Sequence, residues 1–83
     1  MSQLPIVWLV TESNKEPFEP PTEQTVGIFA SQKSAKAAAL RRAQQASNGR
    51  GLRIPPELPN GAGSVSTNNG MRSVWWGPEE VLP

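Results

Sequence analysis

The chain contains no cysteine, histidine, aspartate or tyrosine. Without cysteine or histidine it cannot form a disulfide, a zinc knuckle, a thiol nucleophile or a Ser-His-Asp triad. Acid-base chemistry would depend on glutamate, lysine and serine. The Ser31/Lys33 and Ser34/Lys36 pairs lack the three- or four-residue spacing that places two side chains on one helix face. We therefore expect no catalytic residue, no metal site and no cofactor, and a protein that is not an enzyme.

Long hydrophobic runs are also missing. The longest, Leu4–Val10, has seven positions and includes a proline. A bilayer-spanning helix needs about 20 apolar residues, and an export signal needs a basic start that the sequence lacks. We expect a cytoplasmic protein, in a bacterial host if its origin is a phage.

Eighty-three residues suffice for one small domain, which we place at residues 1–83. Nine prolines and seven glycines indicate that much of the chain is loop. The longest loop is rich in Pro, Gly and Asn, and we place it at about residues 48–63.

Two strands are predicted in the first third of the chain. The β-branched and aromatic residues of Pro5–Thr11 do not alternate with polar ones, which predicts a strand covered on both faces. Gln24–Phe29 predicts a second strand, in which Gly27 indicates a bulge or a close backbone approach.

A helix is predicted over Gln32–Ala46, with Ser31 as its N-cap and Asn48-Gly49 as its stop signal. Alanines recur along one side of this helix, so that side can approach a sheet closely. The stripe comprises Ala35, Ala39, Ala43 and Ala46.

The C-terminal third allows two interpretations. In one, a loop continues to residue 70 and Met71–Trp76 forms a single last strand. In the other, Ser64–Thr67 pairs with Met71–Val74 across a turn at Asn68–Gly70. We favour the second, because Asn-Gly is the strongest short-range hairpin signal.

The predicted element order is β-β-α-(β)-β. The first two strands are joined too closely for a crossover helix, so they should be antiparallel. The last strand is predicted to end at residues 76–78, with a short tail after it. The fold class is therefore α+β, a two-layer fold in which one Ala-rich helix covers a small antiparallel sheet of three or four strands.

The junction of strand and helix, Thr25–Ser31 followed by Ala35 and Ala37–Ala39, resembles a pattern in small uncharacterised bacterial and phage proteins. In those proteins a strand leads to VGxFxS and an Ala-rich helix. The resemblance covers residues 6–46, about half of the chain. It implies a ββαβ unit and a phage or mobile-element origin, and it brings no catalytic residues.

Basic residues are concentrated in the middle of the chain. Residues 31–53 carry six lysines and arginines and no acidic residue, whereas both flanks have a net negative charge. Either the acidic flanks lie beside this basic element and neutralise it, or the basic element meets an acidic partner.

Tryptophan is the other unusual feature, with three residues in the chain. Consecutive Trp75 and Trp76 must point to opposite faces of a strand. One can enter the core beneath the helix. The other either lies under the loop at residues 50–63 or is an exposed aromatic anchor for a partner.

These observations favour a non-enzymatic protein-interaction module, a phage or mobile-element protein that binds a host protein or itself. Its predicted contact residues are Phe18, Pro20, Leu52, Trp75 and Trp76. The alternative is a small nucleic-acid-binding accessory protein that uses the helix and the following loop, with Lys33, Arg41, Arg42, Arg50 and Arg53. Neither function involves a membrane or a small-molecule substrate.

Overall fold

The computed structural model describes residues 5–15, 18–48 and 51–81. These residues form one five-stranded antiparallel sheet, in the order β2-β1-β5-β4-β3, and one helix that packs on a single face of it. The predicted two-layer α+β fold is confirmed, with five strands where three or four were expected. The elements are β1 (Ile6–Asn14), β2 (Thr22–Phe29), α1 (Gln32–Ser47), β3 (Leu52–Arg53), β4 (Gly63–Thr67) and β5 (Arg72–Glu80).

The core lies between α1 and the sheet face that it covers, here called the helix face. Its largest fully buried side chains come from the three middle strands, and they are Val10, Val65, Val74 and Trp76. Alanines of α1 pack against them, because a side chain of one carbon lets the helix axis approach the sheet. Burial of this apolar surface is the main stabilising contribution to the fold.

Helix α1 begins and ends as predicted. The Ser31 hydroxyl accepts a hydrogen bond from the Ser34 N–H at 3.2 Å, and Asn48 ends the helix in the left-handed conformation with φ of 53°. The buried stripe differs at its last position. Ala35, Ala39 and Ala43 are buried as expected, but Ser47 is buried in place of Ala46 and donates a hydrogen bond to the Gln44 carbonyl.

Strand β1 corrects the expectation of cover on both faces. It lies inside the sheet between β2 and β5, but α1 covers only one of its faces. Val10 is fully buried on the helix face, whereas Val7 and Leu9 on the other face are half-buried. The apolar run therefore combines a buried helix face with a second face whose apolar side chains are half-buried.

A bulge interrupts the pairing of β1 with β2, as Gly27 indicated. Val10 pairs with Gly27 while Thr11 pairs with Thr25, so Val26 is the extra residue. Val26 packs against the core, and the register beyond it places Ile28 opposite Leu9.

The C-terminal third forms the predicted hairpin. Strands β4 and β5 pair with Ser66 opposite Ser73, and the Gly70 N–H donates to the Thr67 carbonyl across the turn. Gly70 has a φ of 72°, which explains the glycine at this position. The Asn69 side chain accepts hydrogen bonds from the Thr67 hydroxyl and the Met71 N–H.

Two boundaries differ from the prediction. Strand β5 continues past Trp76 to Glu80, with Pro78 opposite Trp8. Proline is tolerated there because β4 ends opposite Trp76, so Pro78 has a strand neighbour on one side only. The long loop is also interrupted, because Leu52–Arg53 pairs with β4 as the edge strand β3.

Candidate protein-interaction surface

The sheet face opposite α1, here called the open face, carries alternate side chains from every strand. No described helix or strand packs on it. By the observed register its members are Val7, Leu9, Thr11, Ser13, Glu23, Thr25, Ile28, Arg53, Ser64, Ser66, Ser73, Trp75, Gly77 and Glu79.

Apolar side chains occupy one part of the open face. Leu9 lies between Ile28 on β2 and Gly77 on β5, and Trp75 lies one row further along the strands. Ile28 is 65% exposed, an unusual state for a branched aliphatic residue in a strand. These apolar side chains therefore occupy neighbouring rows of the open face.

Beside this patch is a hollow of about 330 Å³. Its wall includes Trp75 and Ser64 from the hairpin, and Pro55, Leu58 and Ala62 from the loop between β3 and β4. Leu58 is 61% exposed. The open face therefore combines a protruding isoleucine with an apolar depression several strands away.

The loop between β3 and β4 borders the hollow beside Trp75 and is also attached to α1. The Glu57 carboxylate accepts from Lys36 Nζ at 3.2 Å and from Gln32 Nε2 at 2.7 Å. Lys36 Nζ also lies 6.0 Å from the centre of the Trp76 ring, within range of a cation–π interaction. These contacts hold the loop at the edge of the sheet and leave Trp75 half-buried.

The same loop is closed over the core at Gly61. Its carbonyl accepts hydrogen bonds from Trp76 Nε1 and Gln32 Nε2, both at 3.0 Å. Gly61 has a φ of 88°, and a Cβ at this position would lie 3.0 Å from the Trp8 ring. Trp76 therefore has its single polar group satisfied inside the core, as a buried indole requires.

At the far end of the strands, the open face is polar. One cross-strand row joins Ser13, Ser73 and Ser66, and the hydroxyls of the last two are 3.1 Å apart. The row ends in Glu23 on the β2 edge and in Arg53 on the β3 edge. Four strand spacings separate these two charges, about 19 Å, so they cannot pair within one molecule.

The predicted protein-contact residues do not form one surface. Trp76 is 1% exposed in the core, so it is not available to a partner, whereas Trp75 lies on the open face. Leu52 packs against the core from the helix face. Phe18 and Pro20 are exposed in the loop between β1 and β2, where Phe18 has a φ of 68°.

Sequence reasoning missed Val7, Leu9 and Ile28. The alternation of Val7 and Leu9 with Trp8 and Val10 was the available signal, but a run that is apolar at every position hides which face is covered. The position of Ile28 depends on the bulge at Val26, which single-sequence periodicity does not register.

The basic residues predicted to bind nucleic acid also lie on different parts of the molecule. Arg42 Nε donates to Glu12 Oε2 at 2.6 Å, and this hydrogen bond together with the carboxylate charge raises the pKa of the arginine. Lys33 and Arg41 are exposed on the solvent side of α1. Arg53 lies on the open face, and Arg50 lies outside the described residues.

Partial neutralisation of the basic element by acidic neighbours, one of the two predicted arrangements, is present at Arg42 and Lys36.

A second depression, of about 900 Å³, lies between the end of α1 and the β4–β5 turn. Its lining is rich in amides, among them Gln45, Asn48, Asn68 and Asn69. Ser47, Thr67 and Arg72 line the groove as well, so its wall is mainly polar.

Residues 5–15, 18–48 and 51–81 contain no group of three or more potential metal-binding side chains. In the same residues, no helix has the length and apolar character needed to cross a bilayer. No protein-family model, curated protein or solved structure matches the chain.

Proposed function

We propose that this protein is a non-enzymatic protein-interaction module whose contact surface is the open face around Trp75. The observation that carries the proposal is the apolar cluster of Leu9, Ile28 and Trp75 on a sheet face on which no described helix or strand packs. Trp75 is a rigid side chain with a large apolar area, the type that most often dominates binding energy. The polar row beyond it would form the rim of the contact.

The proposal places the protein in the cytoplasm and, following the resemblance at residues 25–39, among proteins of phages or mobile elements. Its activity would consist of occupying a surface of a host protein or of another copy of itself. No chemical step is required of it.

The nucleic-acid alternative receives less support from the geometry. Arg42 is held by Glu12, and Arg53 lies on the opposite side of the sheet from Lys33 and Arg41. Lys36 is paired with Glu57. The two other cations on α1, Lys33 and Arg41, are exposed and eight positions apart, a small number of phosphate contacts for a dedicated binder.

A comparison of two surfaces tests the proposal. The wild-type chain, Ile28→Lys and the control Ala37→Lys would be immobilised and exposed to lysate of the source cells. The control places the same charge on the solvent side of α1. Proteins retained by the wild type and by Ala37→Lys, but lost with Ile28→Lys, support an interaction through the open face.

The alternative predicts another pattern. Duplex DNA or RNA would bind the chain with an affinity that falls steeply with salt, and Lys33→Gln with Arg41→Gln would abolish that binding. This double variant spares the Arg42–Glu12 pair and therefore the fold. Such a result, with no effect of Ile28→Lys, would contradict the proposed function.

A further inference from the structure

We infer that the open face binds a second copy of this chain, packed face to face across a two-fold axis parallel to the strands and centred on β5. The inference rests on the proposed function, since it names the partner of the same surface. Three separate features of the open face meet complementary features under this one symmetry operation.

The strand order determines which strand of one copy lies over which strand of the other. Strand β5 is the middle strand of the sheet, with β1 and β2 on one side and β4 and β3 on the other. A two-fold axis along β5 exchanges the two sides but keeps the position along the strands. Strand β2 of one copy therefore lies over β3 of the other, and each cross-strand row faces its own reversed copy, about 10 Å away.

The first complement is aromatic. Trp75 lies on β5, next to the axis, so the indoles of the two copies meet at the centre of the interface. A central position surrounded by other contacts is where tryptophan contributes most to binding, because water is excluded there. Offset stacking of two indoles adds to the area that they bury.

The second complement is one of shape. Ile28 lies on β2 in the row that contains Leu9 and Gly77, and a Cβ on Gly77 would lie 3.7 Å from Ala62. The two-fold axis therefore brings Ile28 over the loop side of the other copy, at the hollow bordered by Ala62 and Leu58. The protrusion and the hollow would fill each other twice, once on each side of the axis.

The third complement is one of charge. Glu23 and Arg53 end the same row at opposite edges of the sheet. The axis along β5 exchanges those edges, so Glu23 of each copy faces Arg53 of the other. Two ion pairs would result that neither copy can form alone.

A two-fold axis across the strands does not give these matches. Placed on the row of Trp75, it would lay the row of Glu23 over the row of Ile28. A carboxylate would then lose water against an aliphatic side chain without a cationic partner, which is costly. The axis along β5 also brings the two Glu79 carboxylates face to face, but Glu79 is exposed at the end of the strand, where water screens the repulsion. With two Glu23–Arg53 pairs against this one exposed contact, the charge pattern favours the axis along β5 over the axis across the strands.

The available area is sufficient for a weak dimer. The strands contain 9, 8, 2, 5 and 9 residues, which at about 3.3 Å per residue and about 4.8 Å spacing give a face of roughly 500 Å² per copy. The two faces together would bury roughly 1,000 Å², the smallest area expected of a specific interface. We therefore expect an equilibrium between monomer and dimer.

Sedimentation velocity from the micromolar to the millimolar range tests the association. The wild type is expected to shift from monomer to dimer with concentration, and the Ala37→Lys control should do the same. Ile28→Lys and Trp75→Ser should weaken the dimer by roughly thirtyfold or more, as expected for hot-spot residues. Circular dichroism of each variant establishes that it is folded; Ile28 is so exposed that its replacement leaves the fold intact.

A charge exchange tests the axis. Glu23→Arg alone and Arg53→Glu alone should each dimerise less than the wild type, because each homodimer then holds two like-charged pairs. An equimolar mixture of the two variants should form heterodimers, in which both pairs are again of opposite charge. The rescue should diminish with salt, as for partly exposed ion pairs.

A wild type that remains monomeric throughout overturns the inference, and so does a dimer that tolerates both Ile28→Lys and Trp75→Ser. A dimer sensitive to those two variants but without rescue in the mixture overturns the proposed axis. A monomer that retains a lysate protein through the open face would overturn self-association while leaving the proposed function in place.

Discussion

The helix face and the open face of this sheet differ in what packs on them: α1 covers the first, and no described helix or strand covers the second. Trp76 and Trp75 are adjacent in sequence and identical in chemistry, yet one is fully buried with its indole N–H bonded to Gly61 and the other is half-buried. The difference arises because α1 covers one face only. An apolar strand residue in this fold is therefore fully buried or left partly accessible, according to the sheet face on which it lies.

The largest expected effect separates the two tryptophans. Trp76→Ala should lower the free energy of unfolding by about 3–5 kcal/mol, enough to unfold so small a domain, because it leaves a large cavity in the core. Trp75→Ala should leave a folded monomer. Thermal melts at low protein concentration, where association is weak, measure both. If Trp75→Ala also unfolds the monomer, the two faces are not energetically distinct.

Gly63 tests how tightly the helix face is packed. A Cβ at this position would overlap the Trp76 ring, so Gly63→Ala should cost about 3 kcal/mol through strain in the core. Gly77→Ala, on the open face, is the matched control, since its Cβ would make only an ordinary contact with Ala62. Chemical denaturation gives both values. Equal losses would mean that Trp76 can move aside without cost.

The alanine stripe tests the approach of α1. Ala39→Leu should destabilise the protein by about 2 kcal/mol, because the buried side has no room for three more carbons. Ala37→Leu points to solvent and should change stability by less than about 0.5 kcal/mol. Similar behaviour of the two variants would show that the helix does not pack through this stripe.

The smallest expected effect concerns the attachment of the loop to α1. Glu57→Ala removes an exposed ion pair with Lys36 and should cost at most about 1 kcal/mol. Its effect should be clearer in amide hydrogen exchange, with faster exchange at residues 57–62 and unchanged exchange in β1 and β5. Uniform acceleration across the sheet would mean that the loop is part of the cooperative core.

Local signals predicted the elements that depend on local interactions. The N-cap at Ser31, the left-handed Asn48 and the Asn-Gly hairpin turn each act over a few residues, so their sequence patterns identified α1 and the pairing of β4 with β5. The opposite orientation of Trp75 and Trp76 also followed from strand geometry alone.

The remaining features depend on distant partners. Strand β3 forms because Leu52 and Arg53 pair with β4, which follows the long loop. A strand of two residues is too short to show an alternating sequence pattern, so it could not be predicted. Pro78 was expected to end a strand, but it is tolerated because β4 is too short to reach it. Ile28 became a candidate contact only once the register across the Val26 bulge was known, because that register decides which sheet face Ile28 occupies.

The strand order has a consequence for folding during synthesis. The two longest strands, β1 and β5, pair along their whole length, although they stand at opposite ends of the described chain. Pairs so distant in sequence close slowly, because the intervening chain loses its freedom before the contact is gained. During synthesis, β1, β2 and α1 would emerge with Val10 and the alanine stripe still without Trp76 and Val74. Until β5 arrives, the nascent chain presents a half-formed sheet with a bare strand edge, the state in which small β-rich proteins are most prone to aggregate.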